Sequence, residues 1–239
     1  MGALSSKLRE NHFYALISMP ESHTNRGADL KTRSFVASLL SIRTNRVLLP
    51  LLAIYFMIHL IGQIPGSLWI VYGEDRFGWD IWMVGLTFAA FGILHAIAQA
   101  FFTGPTTRRF GERGAIMLGV GCDSAAFIAM ALITKGWMVF AVMLLFTAGG
   151  IALPAFQSLL SRQVSEEHQG ELQGTLVSIT ALTEVIGPIA ATSIYAASPV
   201  STPGLVWIVG AGLYLLCFPV IMTRMSAFRE KPVELAESI

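Results

Sequence analysis

Six apolar runs, each close to the length of a bilayer's hydrocarbon core, leave this chain little choice of fold. They lie at about 47–72, 82–103, 115–134, 137–160, 172–196 and 204–223, and a spanning helix needs about 20 mostly apolar residues. Composition agrees, since 54% of the 239 residues are hydrophobic and only 13% charged, against roughly 25% charged in a soluble domain. The sequence therefore predicts an all-α membrane protein, a six-transmembrane-helix bundle over residues 47–223. The short connections between runs make successive helices antiparallel neighbours. A net charge of +1 excludes a nucleic-acid binder that gains its affinity by neutralising phosphates. Cys122 and Cys217 both lie inside apolar runs, which predicts two buried, reduced thiols rather than a disulfide framework or a zinc site.

Charge asymmetry sets the orientation. Fourteen of the sixteen Lys and Arg residues fall on one side of the six-span layout, and only Arg76 and Lys135 on the other. Cytoplasmic loops collect basic residues, so both termini are expected in the cytoplasm. Trp69, Tyr72, Trp79, Trp82 and Trp137 fall near span ends on the opposite side, where an aromatic belt is expected. Residues 1–46 hold no apolar stretch long enough to cross a bilayer, and the short one at 13–19 runs straight into Pro20-Glu21-Ser22-His23. That is not the layout of a cleaved signal peptide, so 1–46 reads as a cytoplasmic stub and 224–239 as a cytoplasmic tail.

Four ionisable residues sit inside the spans: His59, His95, Asp123 and Glu184. Each costs about 2.5–3.5 kcal/mol at mid-membrane even on a lenient scale, so each needs a partner, water or a function. Helical spacing puts His95 and Gln99 on a stripe with Gly85, Gly92 and Ala96, and Asp123 with Gly119 and Ala126, closed by Met130. It aligns Glu184 with Thr180, Gly187 and Ala191, and His59 and Gln63 with Tyr55, Gly62 and Gly66. Small residues let a neighbouring helix or a watery path come close. A lone Gln or Thr on such a stripe reads as glue between helices. A carboxylate and an imidazole facing one interior read as a proton relay, the reading taken for Asp123 and His95. His59 and Glu184 stay open between the two. Gly149-Gly150 before Pro154, and Gly187-Pro188, are expected to loosen or kink their helices, because Pro removes an internal hydrogen bond.

Enzyme motifs do not fit. The one Gly-Ser pair, Gly66-Ser67, lacks the context of a serine nucleophile, Asp123 is the only aspartate in a span, and Glu166-Glu167-His168 has no second His at metal-binding spacing. No Gly-Lys-Ser or Gly-Lys-Thr marks a P-loop, so any transport would draw on an ion gradient or a partner.

The segment Gly104-Pro-Thr-Thr-Arg108-Arg109-Phe-Gly111-Glu-Arg113 resembles the second, degenerate copy of the major facilitator loop signature, Gly-x-x-x-Asp-Arg-x-Gly-Arg-Arg. Further matches are Gly73-Glu-Asp-Arg-Phe-Gly-Trp79, Phe91-Gly-Ile-Leu-His95-Ala-Ile-Ala-Gln99-Ala-Phe101, Gly149-Gly-Ile-Ala-Leu-Pro154 and His168-Gln-Gly-Glu-Leu-Gln-Gly174. With them, residues 20–223 resemble the C-terminal half of the major facilitator tetracycline/proton antiporters. The resemblance implies export of a tetracycline–metal complex in exchange for a proton from the bacterial inner membrane. No cofactor would be held permanently; the proton gradient supplies the energy, and a divalent metal ion enters only as part of the drug complex. In the family the residues standing here as His95 and Asp123 are implicated in coupling. Gln99 matches a polar family position, and with His59, Gln63 and Glu184 it is assigned to the substrate path. Gly104, Arg108, Arg109, Gly111 and Arg113 are the candidate gating loop, although setting topology and capping helix ends is the simpler and preferred role of its arginines Arg108, Arg109 and Arg113. His59 stands where the family carries Gln, and Glu184 where it carries a small or apolar residue. Family members have twelve spans in two halves of six, with the substrate path between the halves. The chain reads as the second half, incompetent alone, with membrane lipid around it and a separate N-terminal half or a second copy as partner. A non-transporting membrane interaction or assembly module, or a decayed fragment, remains the alternative.

Overall fold

The structure is a computed structural model that describes residues 48–199 and 202–227. Within them lie seven helices: α1 Leu48–Phe77, α2 Ile81–Phe101, α3 Thr103–Leu132, α4 Met138–Gly149, α5 Ala152–Ser161, α6 Gln169–Ala197 and α7 Leu205–Ala227. A 3-10 turn, Glu166–His168, precedes α6. Because α4 and α5 together make one span, Met138–Ser161, six helical segments are long and apolar enough to cross a membrane. The described residues contain no strand, as expected where lipid offers backbone groups no hydrogen bond. The stub at 1–46 and the tail beyond residue 227 lie outside the described residues.

The helices outrun the apolar runs. α1 continues through 73–77 and stops at Gly78, whose φ of +66° suits glycine. There the Gly78 N–H donates to the Glu74 carbonyl at 3.0 Å. The Asp80 side chain then caps α2 by accepting from the Met83 N–H at 2.8 Å. The connection expected over 104–114 is instead mostly helical. Pro105 is tolerated there because an N-terminal turn needs no N–H from it, and the helix breaks only at Gly111, with φ 69° and ψ 173°. That region is open essentially to glycine alone. α6 begins at Gln169, with Glu171 in the first turn beside the positive helix end. It runs unbroken through Gly187-Pro188, whereas the Gly149-Gly150 segment does break its span.

The most extensive packing pairs α1 with α6 and α3 with α7. The contacts run the same way along both α1 and α6: Gly187 lies against the Gln63 side chain, and further along the Tyr195 hydroxyl donates to Asp75 at 2.9 Å. The two helices are therefore parallel. Between α1, α3 and α7 the rings of Tyr72, Phe127 and Trp207 meet edge to face at 5.3 and 5.4 Å. Trp69 and Tyr72 belong to this interior and not to the expected aromatic belt, being 7% and 1% exposed. Each has a polar partner inside: Trp69 Nε1 donates to Thr87 Oγ1 at 2.9 Å, and the Tyr72 hydroxyl to the Met130 carbonyl at 3.0 Å. Trp82 and Trp137 are 83% and 67% exposed. Cys217 is buried and Cys122 half-buried, both as free thiols.

Burial is uneven. Only 17% of the apolar window of α2, and 17% of that of α6, is buried, against 44% in α1 and in α3. Gly85, Gly92 and Ala96 are exposed, so the small-residue stripe of α2 faces outward, and its inner face is carried by Val84, Thr87 and Ala98.

Candidate functional site

The break between α4 and α5 organises the site. In an unbroken helix the Gly150 carbonyl would accept the N–H of residue 154, but that residue is Pro154 and has none. The orphaned carbonyl is met from α2, where Gln99 Nε2 donates to it at 3.1 Å. The other end of the same amide is held by the Thr103 hydroxyl, which donates to Gln99 Oε1 at 3.0 Å. Gln99 Nε2 also stands 3.4 Å from His95 Nε2.

Absent side chains at the break make room for charged ones. A Cβ at Gly149 would overlap the Asp123 carboxylate, and one at Gly150 would lie 3.0 Å from His95 Nδ1. On α3, a Cβ at Gly119 would meet Ala152 Cβ at 2.7 Å and the Gly149 carbonyl at 2.8 Å. The Gly119–Asp123 face of α3 is thus pressed on the break, with Ala126 and Met130 buried beyond it. That inward orientation is the one its spacing predicted.

These groups open on a cavity of about 400 Å³, within the range of small-molecule sites. α1 supplies His59 and Gln63, α2 His95, α3 Asp123, the break Gly149-Gly150, and α7 Tyr214. Phe88, Phe91, Phe127 and Phe146 line much of the rest. The Tyr214 hydroxyl is the polar partner of the Asp123 carboxylate. The His59 ring rests on Tyr55 at 4.4 Å, and Tyr55 in turn accepts from Gln157 Nε2 at 3.1 Å. Two buried ring nitrogens, His59 Nε2 and His95 Nδ1, have no hydrogen-bond partner. At Gly62 and Gly66 no atom lies within 4 Å of where a Cβ would sit, which leaves that wall roomy. An apolar enclosure with a few converging polar and ionisable groups suits an amphiphilic ligand.

Of the residues singled out from sequence, His59, Gln63, His95 and Asp123 come together here. Gln99 does not line the cavity; it stands behind His95 and ties α2 to the break. Glu184 also lies outside it, exposed on α6, even though its neighbour Gly187 is buried against α1. In the expected gating loop Gly104, Arg108 and Arg109 are exposed, while Arg113 turns inward and leaves Nη2 buried without a partner. Gly111 is the kink of that segment.

Three features escaped sequence reasoning. Tyr214 went unnoticed, although a phenol in the middle of the last apolar run is a readable signal. Thr103 and the orphaned Gly150 carbonyl become visible only once α2 lies against the break. Glu112 accepts from Ser158 Oγ and pairs with Arg162 Nε at 3.0 Å, fastening the start of α3 to the end of α5. Among the described residues no group of three or more His, Cys, Asp and Glu side chains could hold a metal ion.

A family model described as the Major Facilitator Superfamily matches residues 12–170 and again 83–238. The chain is 48% identical over 205 residues to the class C tetracycline resistance protein of Escherichia coli, covering 85% of this chain and 52% of that protein. It is 48% identical over 200 residues to the class G protein of Vibrio anguillarum, covering 84% and 51%. With the class B protein of Escherichia coli it shares 46% over 175 residues, covering 73% and 44%. The chain thus spans about half the length of the curated relatives it matches. By its six apolar helices and by this match, the chain belongs to the Major Facilitator Superfamily, a family of multi-pass membrane transporters and not of enzymes.

Proposed function

We propose that this chain is the C-terminal half of an antiporter that exports tetracycline, as its complex with a divalent metal ion, in exchange for protons. The observation that carries the reading is the meeting of Asp123 and His95 at the α4–α5 break, both facing one apolar cavity. A carboxylate that can hold either a proton or a positively charged cargo couples the two by exclusion, because each occupant lowers the affinity for the other. Asp123 is the proton-carrying group in this scheme, with Tyr214 as its hydrogen-bond partner and His95 relaying or tuning the proton from α2. His59 and Gln63 contact the drug from α1. The metal ion travels with the drug and is not a resident cofactor, and the proton gradient supplies the energy.

Alternating access by rocking requires a second bundle. The sparsely buried faces of α2 and α6, the latter carrying Glu184, are the surfaces open to one. The partner is a separately made N-terminal half or a second copy of this chain. The basic residues gathered on one side of the spans support an inner-membrane protein with both termini in the cytoplasm.

The test is tetracycline uptake into inverted vesicles under an imposed proton gradient, with the chain expressed alone and beside the N-terminal half of a related antiporter. Uptake with the second half, lost in Asp123→Asn while membrane insertion persists, is the expected result. Uptake in neither case would replace the proposal with a non-transporting assembly module or a decayed fragment. Normal uptake by Asp123→Asn would make the carboxylate structural.

A further inference from the structure

We infer that Gln99 is a positioning residue, an amide that fixes the tautomer of His95 and ties the charge of that imidazole to the break between α4 and α5. The inference rests on the proposed function only where His95 carries a proton during transport. It starts from the Gly150 carbonyl, which can only accept a hydrogen bond. The Gln99 atom 3.1 Å away must therefore be Nε2. Oε1 then lies at the other end, where it accepts from the Thr103 hydroxyl. One Nε2 hydrogen is used on Gly150. The second points toward His95 Nε2 at 3.4 Å, so that ring nitrogen presents its lone pair. The proton of the neutral ring is left on Nδ1, against the glycine backbone at 150, without a partner.

A proton added at His95 Nε2 would set N–H against N–H. The amide relieves this only by turning Oε1 toward the ring, and the turn gives up its bond to Gly150 and reverses its bond to Thr103, whose hydroxyl must then accept from Nε2. The Gly150 carbonyl then loses its one donor, since Pro154 cannot replace it, and the Thr103 hydroxyl exchanges its 3.0 Å acceptor for the Ala98 carbonyl at 3.5 Å. What is gained is one charge-assisted bond to the imidazolium. The break is thereby made to feel whether His95 is charged. The other titratable groups facing this cavity are His59 from α1, Asp123 from α3 and Tyr214 from α7; α4 and α5 bring no titratable side chain to it, and Gly150 lies against the His95 ring.

Histidine 15N spectra of the full chain in lipid nanodiscs test this without any transport measurement, so failure of the antiport reading and failure of this one are separable. His95 is assigned by the signal lost in His95→Asn. In its neutral form the expected spectrum has the bare, strongly downfield nitrogen at Nε2 and the protonated one at Nδ1. Gln99→Leu should move the ring to the Nε2–H form. Thr103→Val, which frees the amide while sparing the core, should give a mixture of the two. A neutral His95 protonated at Nε2 in the unaltered chain overturns the inference, whether or not either variant folds. So does a tautomer that both variants leave unchanged.

Discussion

Gly149 is where the packing of the site can be put to a quantitative test. A methyl group there would overlap the Asp123 carboxylate, with Oδ2 at 2.8 Å. The carboxylate lies between the break and Tyr214, so it can yield only by leaving its hydroxyl partner. Overpacking of a filled site costs about 1–3 kcal/mol, and a lost hydrogen bond about 0.5–1.5 kcal/mol. Against this stands a helix-propensity gain of up to about 1 kcal/mol for Gly→Ala. Gly149→Ala should therefore destabilise by about 0.5–4.5 kcal/mol. Gly62→Ala, with no atom within 4 Å of the new methyl, should be neutral or stabilising by up to about 1 kcal/mol. The decisive assay is a double-mutant cycle in detergent micelles, following unfolding by loss of helical circular dichroism. With Asp123→Ala in place the obstacle is gone, and Gly149→Ala should cost about 1 kcal/mol or less, a coupling of at least about 1 kcal/mol. Strict additivity, or a Gly149→Ala chain as stable as the Gly62→Ala chain, would refute the contact and with it the reason glycine occupies 149.

Two further expectations follow from the segment around Gly111 and its fastening to α5. Gly111→Ala forces a methyl-bearing residue into φ 69°, ψ 173° and should lose about 1–3 kcal/mol in the same assay, whereas Gly104→Ala, with open space around it, should lose nothing. At the fastening of α3 to α5, Arg162 is 69% exposed, so Arg162→Ala should cost under about 1 kcal/mol. Glu112→Ala also removes the acceptor of the Ser158 hydroxyl and should cost about 1 kcal/mol more; equal effects would mean that the serine bond contributes nothing.

The architecture was legible in the sequence because lipid leaves the backbone one local solution. A run such as 172–196 has to be helical to satisfy its own N–H and C=O groups, and its length measures the bilayer. The same locality exposed Asp123 and His95. An ionisable group in hydrocarbon is costly enough to be conspicuous, and spacing along a single helix shows whether small residues surround it, as Gly119 and Ala126 surround Asp123. The helix ends were less legible. Residues 73–77 and 104–110 carry the polar, Gly and Pro residues of a loop, yet at the water interface a helix can continue through them.

What the sequence by itself determined, then, was a bundle of spanning helices and the identity of the inward carboxylate, whereas the signal that marks the break before Pro154 also stands at Gly187-Pro188, where the helix runs on. Which helix meets which was decided only in three dimensions. Spacing along α2 could place Gln99 on the same side as His95. It could not reveal that the Gly150 carbonyl, bereft of a donor by Pro154, waits there for Gln99 from another helix. Glu184 shows the converse, since its stripe with Gly187 and Ala191 is real while α1 covers only part of it and leaves the carboxylate outside. Periodicity follows from the rotation of one helix about its own axis. A cavity depends on the distances between axes, which are set by how closely Gly119, Gly149 and Gly187 let neighbouring helices approach.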